Sequence, residues 1–231
     1  METMRYSIKR NRVQARVSGL LSWIVFLVAA VSASSPASAG IVARDAFVSL
    51  SSPALEILKR TTRLDMLDYW DADSVFKASN AMEGLSWLEA AGPDYIRVRL
   101  TPVSVFEIKL LPFKNKQVVM TVYTVGDDRQ AEDSRIDFYD QAMNPLDSKK
   151  FFKAPDLSNF FDIPKGSVTT MKEIKEMVPF PTMAYSASAD GNNLSARLTV
   201  GEYMNIDDYN IIKLFLKPEV ILEWKNGYKA R

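Results

Sequence analysis

The sequence predicts an α+β fold, an antiparallel β-sheet with an N-terminal helix packed on one face. Three observations point to it. Residues 117–125 and 134–139 are β-branched and aromatic runs, and in the second Ile136 and Phe138 alternate against Arg135 and Asp137. The polar segment between them carries Gly126 and several charges, as a hairpin loop would. Residues 95–100 and 103–113 supply two more runs just upstream, at spacings that suit an antiparallel meander. Ahead of the strands, Ala54, Ile57, Leu58, Thr61, Leu64 and Leu67 recur at helical spacing and make one apolar stripe.

The first element in the chain is a targeting segment. Arg5, Lys9, Arg10, Arg12 and Arg16 form a basic region, residues 20–31 form an apolar core, and Ala37-Ser38-Ala39 is a small-residue cleavage pattern before Gly40. The chain is therefore expected to be exported, periplasmic or secreted, after cleavage near Ala39. A signal anchor retained in the membrane is the alternative, but the apolar core falls short of the roughly 20 residues that a span needs. The mature protein is not expected to span the membrane.

Residues 40–50 are a short apolar lead-in. Ser52-Pro53 opens the helix, a hydroxyl before proline at the first helical position, and the helix is expected to end near Trp70. Lys59, Arg60 and Arg63 are expected to face away from its apolar stripe. Residues 82–91, with Leu85, Leu88 and Ala91 in phase, read as a second, shorter helix stopped by Gly92-Pro93. The strands at 95–100, 103–113, 117–125 and 134–139 follow, the second broken at Pro112. Residues 147–166 look irregular. Thr170 and Glu173 make a capping box for a short helix ending at Pro179. Asp190-Gly191 marks a hairpin between residues 183–189 and 194–200, and residues 211–216 and 220–224 read as two further strands.

These elements divide the chain into residues 1–39, a helix and meander in 40–150, and a loop, short helix and second meander in 151–231, with one continuous domain as the alternative to two. Each half then reads as a helix followed by four strands. That is compatible with a duplication, and equally with unrelated antiparallel strands of similar length.

Composition excludes more than it includes. The chain has no Cys and no His. Disulfides, thiolate nucleophiles, triads built on His, and zinc sites of Cys and His are therefore ruled out. No cofactor is expected. Residues 1–39 carry five basic and one acidic side chain. Against the +1 of the whole chain, that leaves −3 for residues 40–231. Such a balance argues against nucleic acid as a partner.

Arg63–Tyr69 (R-L-D-M-L-D-Y), Leu110–Pro112 (L-L-P), Thr121–Val125 (T-V-Y-T-V) and Asp133–Asp140 (D-S-R-I-D-F-Y-D) together resemble a family of uncharacterised exported proteins of Bacteroidales, a domain of unknown function. The resemblance covers most of the chain after residue 39. It implies export from an anaerobic, often host-associated bacterium, and supplies no catalytic residues to carry over.

Three constellations could carry chemistry. Asp68, Asp71 and Asp73, with Asp65 on the same helix face as Asp68, could collect a hard cation, but lack the spacing of a dedicated calcium loop. The plainer reading is solvated acids at a helix end. Asp133 and Asp137 share strand parity and could serve as acid and as nucleophile or base in glycan hydrolysis, or simply pair with arginines on an exposed sheet face. Phe151, Phe152, Phe160 and Phe161 could form an exposed contact patch for a protein or lipid, or fold back over the sheet. Ser148 and Ser167 lack an S-x-x-K context. The function expected is a non-enzymatic binding module at the cell envelope, with a protein, glycan or lipid partner. The alternatives are a carboxylate-dependent glycan hydrolase and a carrier of an apolar ligand, the last motivated by the Phe pairs and ten methionines.

Overall fold

The structure, a computed structural model, describes residues 40–127 and 130–229. The expected signal segment and cleavage point, in residues 1–39, lie outside them, as do residues 128–129. Among the described residues, no helix is long and apolar enough to cross a membrane.

The N-terminal helix is not one helix. Residues 43–49 form α1 (Ala43–Ser49), within what the sequence reads only as a short apolar lead-in; Pro53–Leu55 is a single 3₁₀ turn, and α2 runs Arg60–Asp71. The break has a packing cause. Leu50, Leu55 and Leu58 are all buried in one core, and an extended Lys59 redirects the chain before α2 begins. Arg63 faces inward rather than outward. Its Nη1 donates to the carbonyls of Phe47 (2.6 Å) and Leu50 (3.0 Å), which lie at the C-terminal end of α1. Helix α1 has no basic residue in its own last turn, so Arg63 supplies the charge that its end favours.

Seven strands follow in sequential antiparallel order: β1 (Ala78–Ser79), β2 (Leu85–Ala91), β3 (Tyr95–Thr101), β4 (Ser104–Phe113), β5 (Lys116–Asp127), β6 (Gln130–Tyr139) and β7 (Pro145–Leu146). Strand β2 corrects the expected second helix. Ser86 and Leu88 point into the core, while Trp87 and Glu89 point to the other face, a period of two. Glu89 accepts from the Nε of both Arg97 and Arg99 on β3, a cross-strand partnership that a helix could not make. Pro112 does not break β4; it stays paired with Gln117 beside the β4–β5 turn, where the ladder ends.

The second half is built differently from the first. It contains β8 (Phe152–Lys153), α3 (Met171–Met177), β9 (Met183–Ala187), β10 (Leu194–Leu198), α4 (Ile206–Ile212), β11 (Val220–Leu222) and β12 (Tyr228–Lys229). The capping box is formed at α3, and the hairpin at β9–β10. Strands β11, β10 and β9 make a three-stranded antiparallel sheet, and β12 pairs in parallel with β8. The expected strand at 211–216 is instead the end of α4 and a turn. The Asn205 side chain accepts from the Asp207 N–H, and Asp207 and Asp208 occupy the first turn, so a capped helix wins over the apolar run. The second set of four strands is therefore not formed.

Both faces of the seven-stranded sheet are covered. On one, Phe47, Leu55, Leu58 and Met66 pack on Ile96, Val98, Phe106 and Ile108. On the other, Met120, Val122 and Phe138 meet Phe160, Ile174, Leu194 and Leu222. This second core draws on both sides of position 150, so residues 40–229 pack as one body.

Candidate functional site

The residues singled out by sequence do not converge. Asp133 and Asp137 lie four residues apart along β6, about 13 Å at strand rise, whereas glycosidase carboxylates sit about 5–9.5 Å apart. Asp133 accepts from the Met183 N–H, and Asp137 pairs with Arg135 (2.7 Å). Asp71 is held by the Arg44 guanidinium through both carboxylate oxygens, and that hydrogen bond keeps its pKa below the usual range. Among the described residues, no three acidic side chains are grouped to hold a metal, so Asp68, Asp71 and Asp73 form no such cluster. Phe151, Phe160 and Phe161 are buried and Phe152 is half-buried, so no exposed patch forms. Phe151 stacks on Phe138 and Trp224, because the chain after β7 folds back onto the sheet.

A polar cluster that sequence reasoning missed lies where the two halves meet. Glu107, only 2% exposed, accepts from the Tyr95 hydroxyl (2.6 Å), Arg97 Nη1 (2.6 Å), the Ser186 hydroxyl (3.1 Å) and the Ala187 N–H (3.1 Å). Beside it, buried Lys109 donates to the Ala189 carbonyl (2.9 Å) and pairs with Asp94 (2.7 Å). Burial, together with the Glu107 charge, pushes the Tyr95 hydroxyl well above the tyrosine range. Burial alone would lower Arg97, but the Glu107 charge and the Glu89 hydrogen bond outweigh it and hold the guanidinium up. Burial and the Asp133 charge raise Tyr185 to about 12. Four donors already surround Glu107, which makes it a clamp between β4 and β9 rather than a free base.

A separate concavity lies along β11. It encloses about 680 Å³ and is lined by Glu219, Val220 and Ile221 on one side and by Lys225, Asn226, Gly227 and Lys229 on another. Consecutive residues of a strand point to opposite faces, so a groove touching 219, 220 and 221 in a row follows the strand edge. Strand β11 is the outer strand of its sheet. Lys150 and Lys217 complete the lining, making four lysines against Glu219 and Glu223. Lys225 pairs with Glu223 (2.7 Å), and Lys217 donates to the Asn159 carbonyl (3.0 Å). Among the described residues, Lys150 and Lys229 have no carboxylate partner.

Local structure fixes these lysines in place. The Trp224 indole donates to the Pro112 carbonyl (2.6 Å) and its ring packs on Phe138, anchoring the strand just before Lys225. Asn226 and Gly227 both adopt positive φ in the turn. A Cβ at Gly227 would meet the Phe151 carbonyl oxygen at 3.1 Å, so glycine permits the close approach that lets the Tyr228 N–H reach that carbonyl (2.6 Å). Lys217, Lys225 and Lys229 lie near one another in the sequence, and only the fold brings Lys150 to them.

Fold and groove together define an α+β protein with two cores on one antiparallel meander and a basic cleft at the edge of a smaller sheet. The chain belongs to the family described as "Protein of unknown function (DUF3256)", whose model matches residues 38–228. No curated protein matches it. Among solved structures, it is similar to "a domain of an uncharacterized protein from Porphyromonas gingivalis W83", with a TM-score of 0.67 at 24% identity. The match covers 82% of this chain and 97% of that one, and it shows a shared fold.

Proposed function

We propose that the chain is an exported, non-enzymatic binding module of the cell envelope, and that its lysine-lined groove takes a carboxylate-bearing polymer. One observation carries the reading: four lysines gather on a concavity of about 680 Å³ in a body, residues 40–231, whose net charge is −3. A local basic cleft on a slightly acidic surface steers anions to one place. Each lysine ammonium is a compact charge with three donors on a flexible stem, so it can reach carboxylates at varied spacing. Export rests on the basic, apolar and small-residue pattern of residues 1–39. The hydrolase alternative needs a matched carboxylate pair, which Asp133 and Asp137 do not make. The carrier alternative needs space against the sheet, and side chains fill both of its faces.

The test titrates fluorescent oligoglutamate and oligogalacturonate of equal charge into the protein and into the Lys150→Glu/Lys229→Glu double variant. Both lysines are exposed, so their substitution leaves the core intact. The expected result is saturable binding of at least one probe that weakens ten-fold or more in the double variant and falls with salt. Preference for oligoglutamate would assign an acidic protein segment, and preference for oligogalacturonate an acidic glycan. Binding that is absent, or unchanged in the variant, would overturn the reading.

A further inference from the structure

A second concavity, separate from the lysine groove, has the opposite character. It lies between α3 and α4, encloses about 470 Å³, and combines apolar Val168, Met177 and Ile211 with the carboxylates of Glu173, Glu176 and Asp208. Helix α4 buries only Ile212 and leaves Ile206 and Ile211 exposed. Val168, in the groove lining, is 94% exposed, and Leu214, outside the lining three residues beyond Ile211, is 74% exposed. Large apolar side chains gathered in a groove beside charged groups mark an interaction surface rather than chance exposure.

We propose that the α3–α4 groove is a docking surface for a basic amphipathic helix of a partner protein. The apolar lining suits the i, i+3, i+4, i+7 anchors of such a helix, the usual way an amphipathic helix enters a groove. The carboxylates select the sign of its flanks. Glu173 stays ionised because the Thr170 N–H and hydroxyl, both donating to it, hold its pKa below the usual range. Glu176 has Lys172 at 3.9 Å, with both side chains exposed, so its field is only weakly offset. An anionic membrane surface is disfavoured, because the same three carboxylates would face its headgroups. A second copy docking groove to groove would set carboxylate against carboxylate. This inference is independent of the lysine groove.

The experiment uses two designed 18-residue helical peptides with the same leucine stripe, one flanked by lysines and the other by glutamates. Each is titrated into the full chain by fluorescence anisotropy at low and moderate salt. The lysine peptide should bind at least ten-fold more tightly than the glutamate peptide. Val168→Asp and Ile211→Asp should each weaken it ten-fold or more, and both sites are exposed enough for the fold to tolerate them. Glu176→Lys/Asp208→Lys should reverse the preference. Equal binding of the two peptides, indifference to Val168→Asp and Ile211→Asp, or loss of binding in Lys150→Glu/Lys229→Glu would overturn the proposal. Sedimentation showing self-association that Ile211→Asp abolishes would also overturn it, assigning the groove to a second copy.

Discussion

The two halves of the molecule reach a packed state by different routes. Strands β1 to β7 each pair with the next strand in sequence, so every turn brings together residues that are already close. The second half closes over long distances, since β8 pairs with β12, joining Phe152 to Tyr228. Loop closure of that length is entropically costly and must be offset by contacts formed late. The first half can therefore organise on its own register, whereas the second depends on the sheet it packs against. Glu107 is the most buried carboxylate among several polar links between them, which include Lys109 to the Ala189 carbonyl and the Met183 N–H to Asp133. The Glu107 carboxylate accepts from β3 on one side and from Ser186 and Ala187 of β9 on the other.

Removing that link should give the largest effect. Glu107→Ala leaves Arg97 and the Ala187 N–H short of a buried acceptor, a change that typically costs about 3–5 kcal/mol. Urea denaturation of the variant measures it. Native-state amide exchange sharpens the comparison: protection in β9 and β10 should fall further than protection in β4 and β5. Equal loss in both halves would mean that Glu107 stabilises the sheet as a whole and does not clamp one half to the other.

A smaller effect is expected inside the first half. Arg63→Met keeps the apolar stem but removes the donors that satisfy the Phe47 and Leu50 carbonyls, and should cost about 2 kcal/mol. Its exchange signature should stay within α1 and α2. A loss below about 0.5 kcal/mol would show that water replaces Arg63 at the end of α1.

How far these features could be read from sequence follows the same division. The meander is legible because residues 95–100 and 134–139 alternate at period two, residues 117–125 form a β-branched and aromatic run, and turn residues separate them. Residues 85–91 were not, because L-S-W-L-E-A-A satisfies a helical stripe as well as a strand, and only the pairing of Glu89 with Arg97 and Arg99 decides between them. Arg63 looked like a surface charge, since nothing in its own helix reveals that the end of α1 lies beside it. The cue for α4 was present in Asn205, Asp207 and Asp208, but the apolar run after it weighed more. Glu107 and Lys109 also left a trace, two charges at alternate positions in an otherwise apolar run, V-F-E-I-K-L-L. Such a trace marks a buried polar face. The lysine groove left only a partial one, in Lys217, Lys225 and Lys229, because Lys150 joins them only through the fold.

The smallest effect belongs to a residue that sequence pointed to. Asp137 is about one-third exposed and pairs with Arg135, which is more than half exposed, and surface pairs of this kind contribute about 0–1 kcal/mol. Asp137→Asn should therefore shift the urea midpoint barely at all, and should leave oligogalacturonate intact over long incubation just as the unaltered protein does. The comparison with Glu107 is then direct: two strand carboxylates, each beside an arginine, separated by several kcal/mol through burial and donor count alone. If Asp137→Asn instead cost as much as Glu107→Ala, or abolished a slow cleavage of oligogalacturonate by the unaltered protein, Asp137 would be working in a desolvated site and the hydrolase alternative would return.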